Sequence, residues 1–288
     1  MGDVPPINIV RQGKASQTAL RVAMQRGVHQ LLDEPILFED PLALRILGPA
    51  TEQALRDDPF AHNEPIDRGM RAGVCLRAKF IEGELARAVD DGVTQYVVLG
   101  AGLDTFAYRN PYPALQVFEV DHPSTQEWKR RMLDDASIGI PDSLTFAPID
   151  FEHGMLAQGL AAAGFRADQP ACICWMGVTM YLTEAAIMET LGCVARLPKG
   201  SAIGFDFSLL PSLMNPVERV IFEMVKKHIA AMGEPWLSDF DPAVLRKKLL
   251  GLGFSEAETY EPDVLNRRYL YRRKDGLRSA GRLALARV

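Results

Sequence analysis

The chain has 288 residues, of which 48% are hydrophobic and 24% charged, with a formal net charge of -5. That composition is ordinary for a globular protein, and the length suffices for one large α/β domain or two small ones around a sizeable core. Net acidity argues against nucleic acid as a partner, and no apolar run approaches the roughly 20 residues needed to cross a bilayer.

The first segment, MGDVPPINIVRQGKASQ, lacks the apolar core of a secretion signal. Pro6 stands where an N-myristoylation signal wants Ser or Thr. Cys75, Cys172, Cys174 and Cys193 form no CxxC pair, and no His/Cys cluster has ligand spacing, so neither a disulfide framework nor a metal site is expected. The expectation is a cytoplasmic chain with reduced thiols. Cys172 and Cys174 alternate along an apolar run and should point to one buried face of a strand.

Residues 15–32 carry Leu20, Val22, Ala23, Val28, Leu31 and Leu32 at helical spacing. Asp40 and Pro41 read as the N-cap and first turn of a second helix, and residues 68–89 as a third. After Asp90 the pattern changes. YVVLG, LQVFEVD, LTFAPID, ACICWMG and SAIGFDFS are short apolar runs separated by the helical stretches STQEWKRRML, HGMLAQGLAAAG and TEAAIMETLGCVARL. Strands alternating with helices predict a doubly wound α/β fold with a mostly parallel sheet. DPAVLRKKLLGLGF reads as a capped amphipathic helix. AETYEP and RRYLYRR, joined by DVLN, read as a hairpin closing the sheet edge. The expected organisation is one domain: a helical cap over 1–90, a core over 91–210, a helical lid over 211–237, and a C-terminal helix and hairpin over 238–288.

YVVLGAGLDTFAYR, residues 96–109, is a strand running into a glycine turn. Gly100 and Gly102 form GxG, but Thr105 occupies the third fingerprint position, so the dinucleotide pattern is incomplete. Asp121 ends the next strand, FEVD, 21 positions after Gly100, where a carboxylate can accept from both ribose hydroxyls; it can equally begin the following helix. Asp150, at the end of LTFAPID, is placed to meet an adenine amino group, with Phe151 covering the ring. A nucleoside without a pyrophosphate suits this loop, and S-adenosylmethionine is such a ligand.

These motifs resemble the leucine carboxyl methyltransferase-like family of S-adenosylmethionine-dependent enzymes, particularly its bacterial O-methyltransferases. The resemblance runs from about Ala15 to Arg278 and is carried by VVLGAGLDTFAYR, FEVDHP, APIDF and WMGVTMYLTE, with SQTALRVAMQRGVH and LRAKFIEG upstream and GEPWLSDFDP and NRRYLYRRKDGLR downstream. It implies a seven-stranded sheet whose last strand is antiparallel, and a cofactor site of Gly100, Asp121, Asp150 and Phe151. It also implies that Arg77 meets the methionine carboxylate, for which a guanidinium fork is suited. Met176 departs from the family, which carries glutamate there, so the negative charge facing the sulfonium or ammonium must come from elsewhere, or backbone carbonyls and aromatic faces must take its place. Trp175 and Tyr181 are candidates for cation–π support.

The expected activity is methyl transfer to an oxygen of a small-molecule carboxylate or hydroxyl by direct displacement, which needs alignment more than a nucleophile. A hydroxyl acceptor would want a base, for which His29, His122 and His153 are candidates, though each reads more readily as structural or solvent-exposed. On the acceptor side, Tyr181, Arg268 and Tyr269 (with Arg267) are candidates, the last three from the expected edge strand. Two alternatives share the cofactor features: a nicotinamide-dependent oxidoreductase, for which no Tyr-xxx-Lys constellation is evident, and a binding module without turnover.

Overall fold

The computed structural model describes residues 17–151 and 156–288. The N-terminal segment weighed above as a targeting signal, and His153, lie outside the described residues.

The predicted apolar runs form strands β1 (Gln95–Leu99), β2 (Gln116–Asp121), β3 (Leu144–Pro148), β4 (Cys172–Trp175) and β5 (Ala202–Phe207). β6 (Glu256–Tyr260) and β7 (Arg282–Arg287) complete a seven-stranded sheet of order β3-β2-β1-β4-β5-β7-β6. β7 is antiparallel to both of its neighbours, and the pairings among β1–β5 are parallel. The central strands are apolar on both faces because both faces are covered. One side packs Ile173, Trp175 and Phe205 against α5 (Leu156–Ala162), α6 (Glu184–Val194) and α8 (Pro242–Leu252). The other packs Val98, Cys172 and Cys174 against α3 (Pro65–Asp90) and α9 (Pro262–Tyr269), so the two cysteines do share a buried face. Between β2 and β3 runs α4 (Pro123–Asp135).

Two predicted elements fall differently. DPLALRIL is not an α-helix: only a 3-10 turn forms at Arg45–Leu47, and α2 (Pro49–Asp57) starts after Gly48. Asp40 instead folds back on the chain, accepting from the Leu42 amide at 3.0 Å and from Thr105 Oγ1 at 2.7 Å. The hairpin also has a different second strand. RRYLYRR, with four arginines, forms the end of α9 and the turn after it, while RLALAR becomes β7. Leu283, Ala284, Leu285 and Ala286 are buried between β5 and β6, a place where arginines would lose their hydration without partners.

The cap is locked onto α3. α1 (Gln17–Leu32) ends beside Asp33, whose carboxylate accepts from Arg71 Nε of α3 at 2.9 Å and lies 2.6 Å from His29 Nδ1. His29 Nε2 accepts from the Leu37 and Phe38 amides, so the proton sits on Nδ1 and the ring is structural. α7 (Pro216–Ala231) lies in the predicted lid, its N-terminus closed by an Asn215–Glu218 capping box. The chain after α7 is tied back to it by the Phe222–Trp236 ring contact and the Lys226–Asp239 ion pair.

Candidate active site

The strand order reverses between β1 and β4, and at that switch point the carboxyl ends of the strands open a crevice. A cavity of about 230 Å³ occupies it. Arg77, Gly100, Gly102, Asp121, Asp150, Phe151 and Tyr181 all line it. Arg268 and Tyr269 do not. They sit on α9, Arg268 exposed and Tyr269 half-buried against the α3 side of the core, because their segment is a helix and not the edge strand. Trp175 is also off the cavity, fully buried in the core beside Phe205.

The glycine turn is tied to the end of β2 by the Gly100 amide, which donates to the Val120 carbonyl at 2.7 Å. Gly100 has φ 67°, and a Cβ there would lie 2.2 Å from Val178 Cγ2. Only glycine satisfies both constraints. The turn presents the Gly102 amide to Asp121 Oδ2 at 2.7 Å, while the His122 amide donates to Oδ1 at 2.7 Å. Each carboxylate oxygen therefore keeps accepting capacity toward the cavity. Burial pushes the Asp121 pKa up, with the two backbone donors and Lys129 pulling against it. The N-cap of α4 is His122, whose Nδ1 accepts from the Ser124 amide at 3.3 Å.

Arg77 is held by a partner the sequence reading did not single out. Its Nη1 donates to Asp206 Oδ2 at 2.8 Å, and Asp206 Oδ1 accepts from the Gly177 amide at 2.6 Å. Gly177 has φ 77°, and a Cβ would fall 2.6 Å from Arg77 Nη2, so the guanidinium lies flat over the turn after β4. Met176, just before, adds apolar surface to the cavity and no charge. A signal for Asp206 existed: it is a carboxylate inside the otherwise apolar strand AIGFDF.

The roof comes from the chain after α7. The Leu237 amide donates to the Met180 carbonyl at 2.6 Å and Ser238 Oγ to the Thr179 carbonyl at 3.0 Å. These bonds bring Glu234 into the cavity wall beside Tyr181 and α1, where its Oε2 accepts from the Thr18 amide at 3.2 Å. Burial raises the Tyr181 pKa, opposed by Trp236 and Thr18 at its hydroxyl. Glu82 and Asp104 also line the cavity. Both oxygens of Glu82 face Arg109, and burial still holds its carboxyl above the ordinary range. Asp104 Oδ1 caps the Phe106 amide at 2.8 Å. Among the described lining residues, Glu82, Asp104, Asp121, Asp150 and Glu234 face Arg26 and Arg77. With Glu82 matched by Arg109, four carboxylates against two guanidiniums make a negative cavity, which favours a ligand of net positive charge and disfavours a pyrophosphate.

The sequence model of the family described as leucine carboxyl methyltransferase matches residues 19–195, a span running from α1 to the end of α6. The chain belongs to the leucine carboxyl methyltransferase family. It is accordingly an S-adenosylmethionine-dependent methyltransferase. Bacillus subtilis YktD, named provisionally as an enzyme of that kind, is 30% identical over 93% of this chain and 95% of its own length. FRAAL3718 of Frankia alni, provisionally named likewise, is 32% identical over 84% of this chain and 83% of its own. Among solved structures, a protein from Thermobifida fusca, described provisionally as a methyltransferase, aligns with TM-score 0.55 at 18% identity, covering 96% of this chain and 95% of that one. That likeness supports the fold of the methyltransferase.

The site fits S-adenosylmethionine on its own geometry. A sulfonium and an ammonium against one carboxylate give that ligand the net positive charge the lining favours. The glycine turn also leaves room for a close approach where a Cβ at Gly100 would intrude on Val178.

Proposed function

We propose that the enzyme transfers the methyl group to an oxygen of a small-molecule carboxylate or hydroxyl by direct in-line displacement. The observation that carries this reading is the cavity at the strand ends, partly roofed by α1 and the chain after α7, which favours a compact acceptor. The carboxyl acceptor in the family's description supports oxygen as the target.

In this reading Asp121 accepts from the ribose hydroxyls, Asp150 and Phe151 border adenine, and Gly100 lets the backbone approach. Arg77, braced by Asp206, meets the methionine carboxylate with its remaining guanidinium edge. When bound, S-adenosylmethionine supplies an electrophilic methyl on a sulfonium. The chain's residues would align the acceptor oxygen in line with that methyl, with the thioether as the leaving group. Cys174 lines the cavity, but burial pushes its thiol up and keeps it protonated, so it supplies no covalent relay. A carboxylate acceptor needs no base. A hydroxyl would release its proton toward the cavity's carboxylates or His122, because His29 is engaged elsewhere. Tyr181 is the acceptor-side candidate that lines the cavity.

The test is release of S-adenosylhomocysteine from the purified protein with a panel of small carboxylic acids and phenols. Turnover with members of that panel and formation of methyl ester or ether is expected. Turnover confined to peptides or to nitrogen acceptors would overturn the proposal.

A further inference from the structure

We propose that Glu234 is the counter-charge for the cofactor's α-ammonium, delivered from the roof of the cavity; this rests on the cofactor placement proposed above. The argument comes from how the cavity's carboxylates are already engaged. Asp121 takes two backbone amides, Glu82 takes Arg109, Asp104 caps Phe106 while lying 4.0 Å from Arg26, and Asp150 is engaged as well. Glu234 differs. It is only 4% exposed, one oxygen accepts from the Thr18 amide, and the other, Oε1, is buried without a hydrogen-bond partner among the described residues.

A buried carboxylate oxygen with no donor is costly. That cost is offset when a bound cation fills the place, and a cationic N–H makes a stronger bond to carboxylate than a neutral hydroxyl does. The surroundings match one end of an amino acid. Thr18 and Trp236 turn toward the Tyr181 hydroxyl, and Glu234 and Arg77 both act on that hydroxyl, which leaves Glu234 Oε1 as the unmatched acceptor of this wall among the described residues. Arg77 reaches the same wall through Gly177, whose successor Val178 accepts from the Tyr181 amide at 3.0 Å. A guanidinium and a carboxylate at one end of the cavity complement an α-carboxylate and an α-ammonium on one carbon. Met176, at the end of β4, brings no charge that could take this role.

Calorimetry on the full chain tests it with two ligands: S-adenosylhomocysteine, and 5′-methylthioadenosine, which keeps the adenosine and thioether but lacks the amino acid. Glu234→Gln should weaken S-adenosylhomocysteine roughly 10- to 100-fold, the scale of a bond to a charged group, and leave 5′-methylthioadenosine unchanged. Without ligand, the variant should melt no lower than wild type, since an unpaired charge has been removed. Equal S-adenosylhomocysteine affinity in the two proteins, with acceptor turnover alone reduced, would overturn the proposal and make Glu234 an acceptor-side residue. An equal loss for both ligands would make it a structural strut of the roof. A wild-type protein that binds neither ligand would overturn the cofactor placement itself.

Discussion

Replacing Gly100 with alanine perturbs the closest approach in the cavity floor, and the structure sets the size of the effect. At φ 67° the backbone is in the left-handed region, which costs an L side chain roughly 1–2 kcal/mol. The new Cβ would also stand 2.2 Å from Val178 Cγ2, against an ordinary carbon contact of about 3.5–4 Å. Val178 must therefore withdraw by more than about 1 Å, and its branched side chain has few rotamers to withdraw into. Overpacking of that kind costs about 1–3 kcal/mol. Gly100→Ala should thus lose about 2–5 kcal/mol in urea unfolding and should weaken S-adenosylhomocysteine in calorimetry. Val178→Ala removes the obstructing methyls, so the double variant should recover the overpacking part and retain the backbone strain, a coupling of about 1–3 kcal/mol. Strict additivity of the two changes, or a Gly100→Ala protein with wild-type stability and affinity, would refute the reasoning.

Asp121→Ala should weaken S-adenosylhomocysteine by about 1.5–3 kcal/mol with circular dichroism showing a folded chain; unchanged affinity would remove the residue from the site. Arg77→Lys should weaken the same ligand despite keeping the charge, because an ammonium cannot hold Asp206 and also present a planar edge. Affinities of Arg77→Lys and Arg77→Ala that both match wild type would count against this assignment. Asp33 is held below the ordinary carboxylate range: burial raises it, but the bonds from His29 and Arg71 outweigh that. A depressed folded pKa contributes stability in full above the unfolded value of about 3.9 and loses it as the pH falls through the folded value. Asp33→Asn should cost about 3 kcal/mol at neutral pH, since Arg71 stays buried without its carboxylate. The gap to wild type in melting should narrow below pH 4 or so, and a gap independent of pH would contradict the pairing.

The sequence by itself determined the parallel core and half of the site. Runs such as YVVL and CICW are buried on both faces, so their composition alone marks central strands. The glycine turn and the carboxylates at strand ends are local features with fixed offsets: the chain leaves β1 at Gly100 and β2 at Asp121, and the parallel pairing brings those ends together. What failed was also local. RRYLYRR has a strand's aromatic residues, and only competition for the slot between β5 and β6 shows that RLALAR fills it at lower desolvation cost. Arg268 and Tyr269 left the acceptor side with that strand. Tertiary structure alone decided the rest. Asp206 meets Arg77 from 129 residues away, and Glu234 meets the start of α1 from 216 residues away. Neither pairing has a spacing rule, because the distance between such groups is set by how separate elements pack and not by the pitch of any one of them.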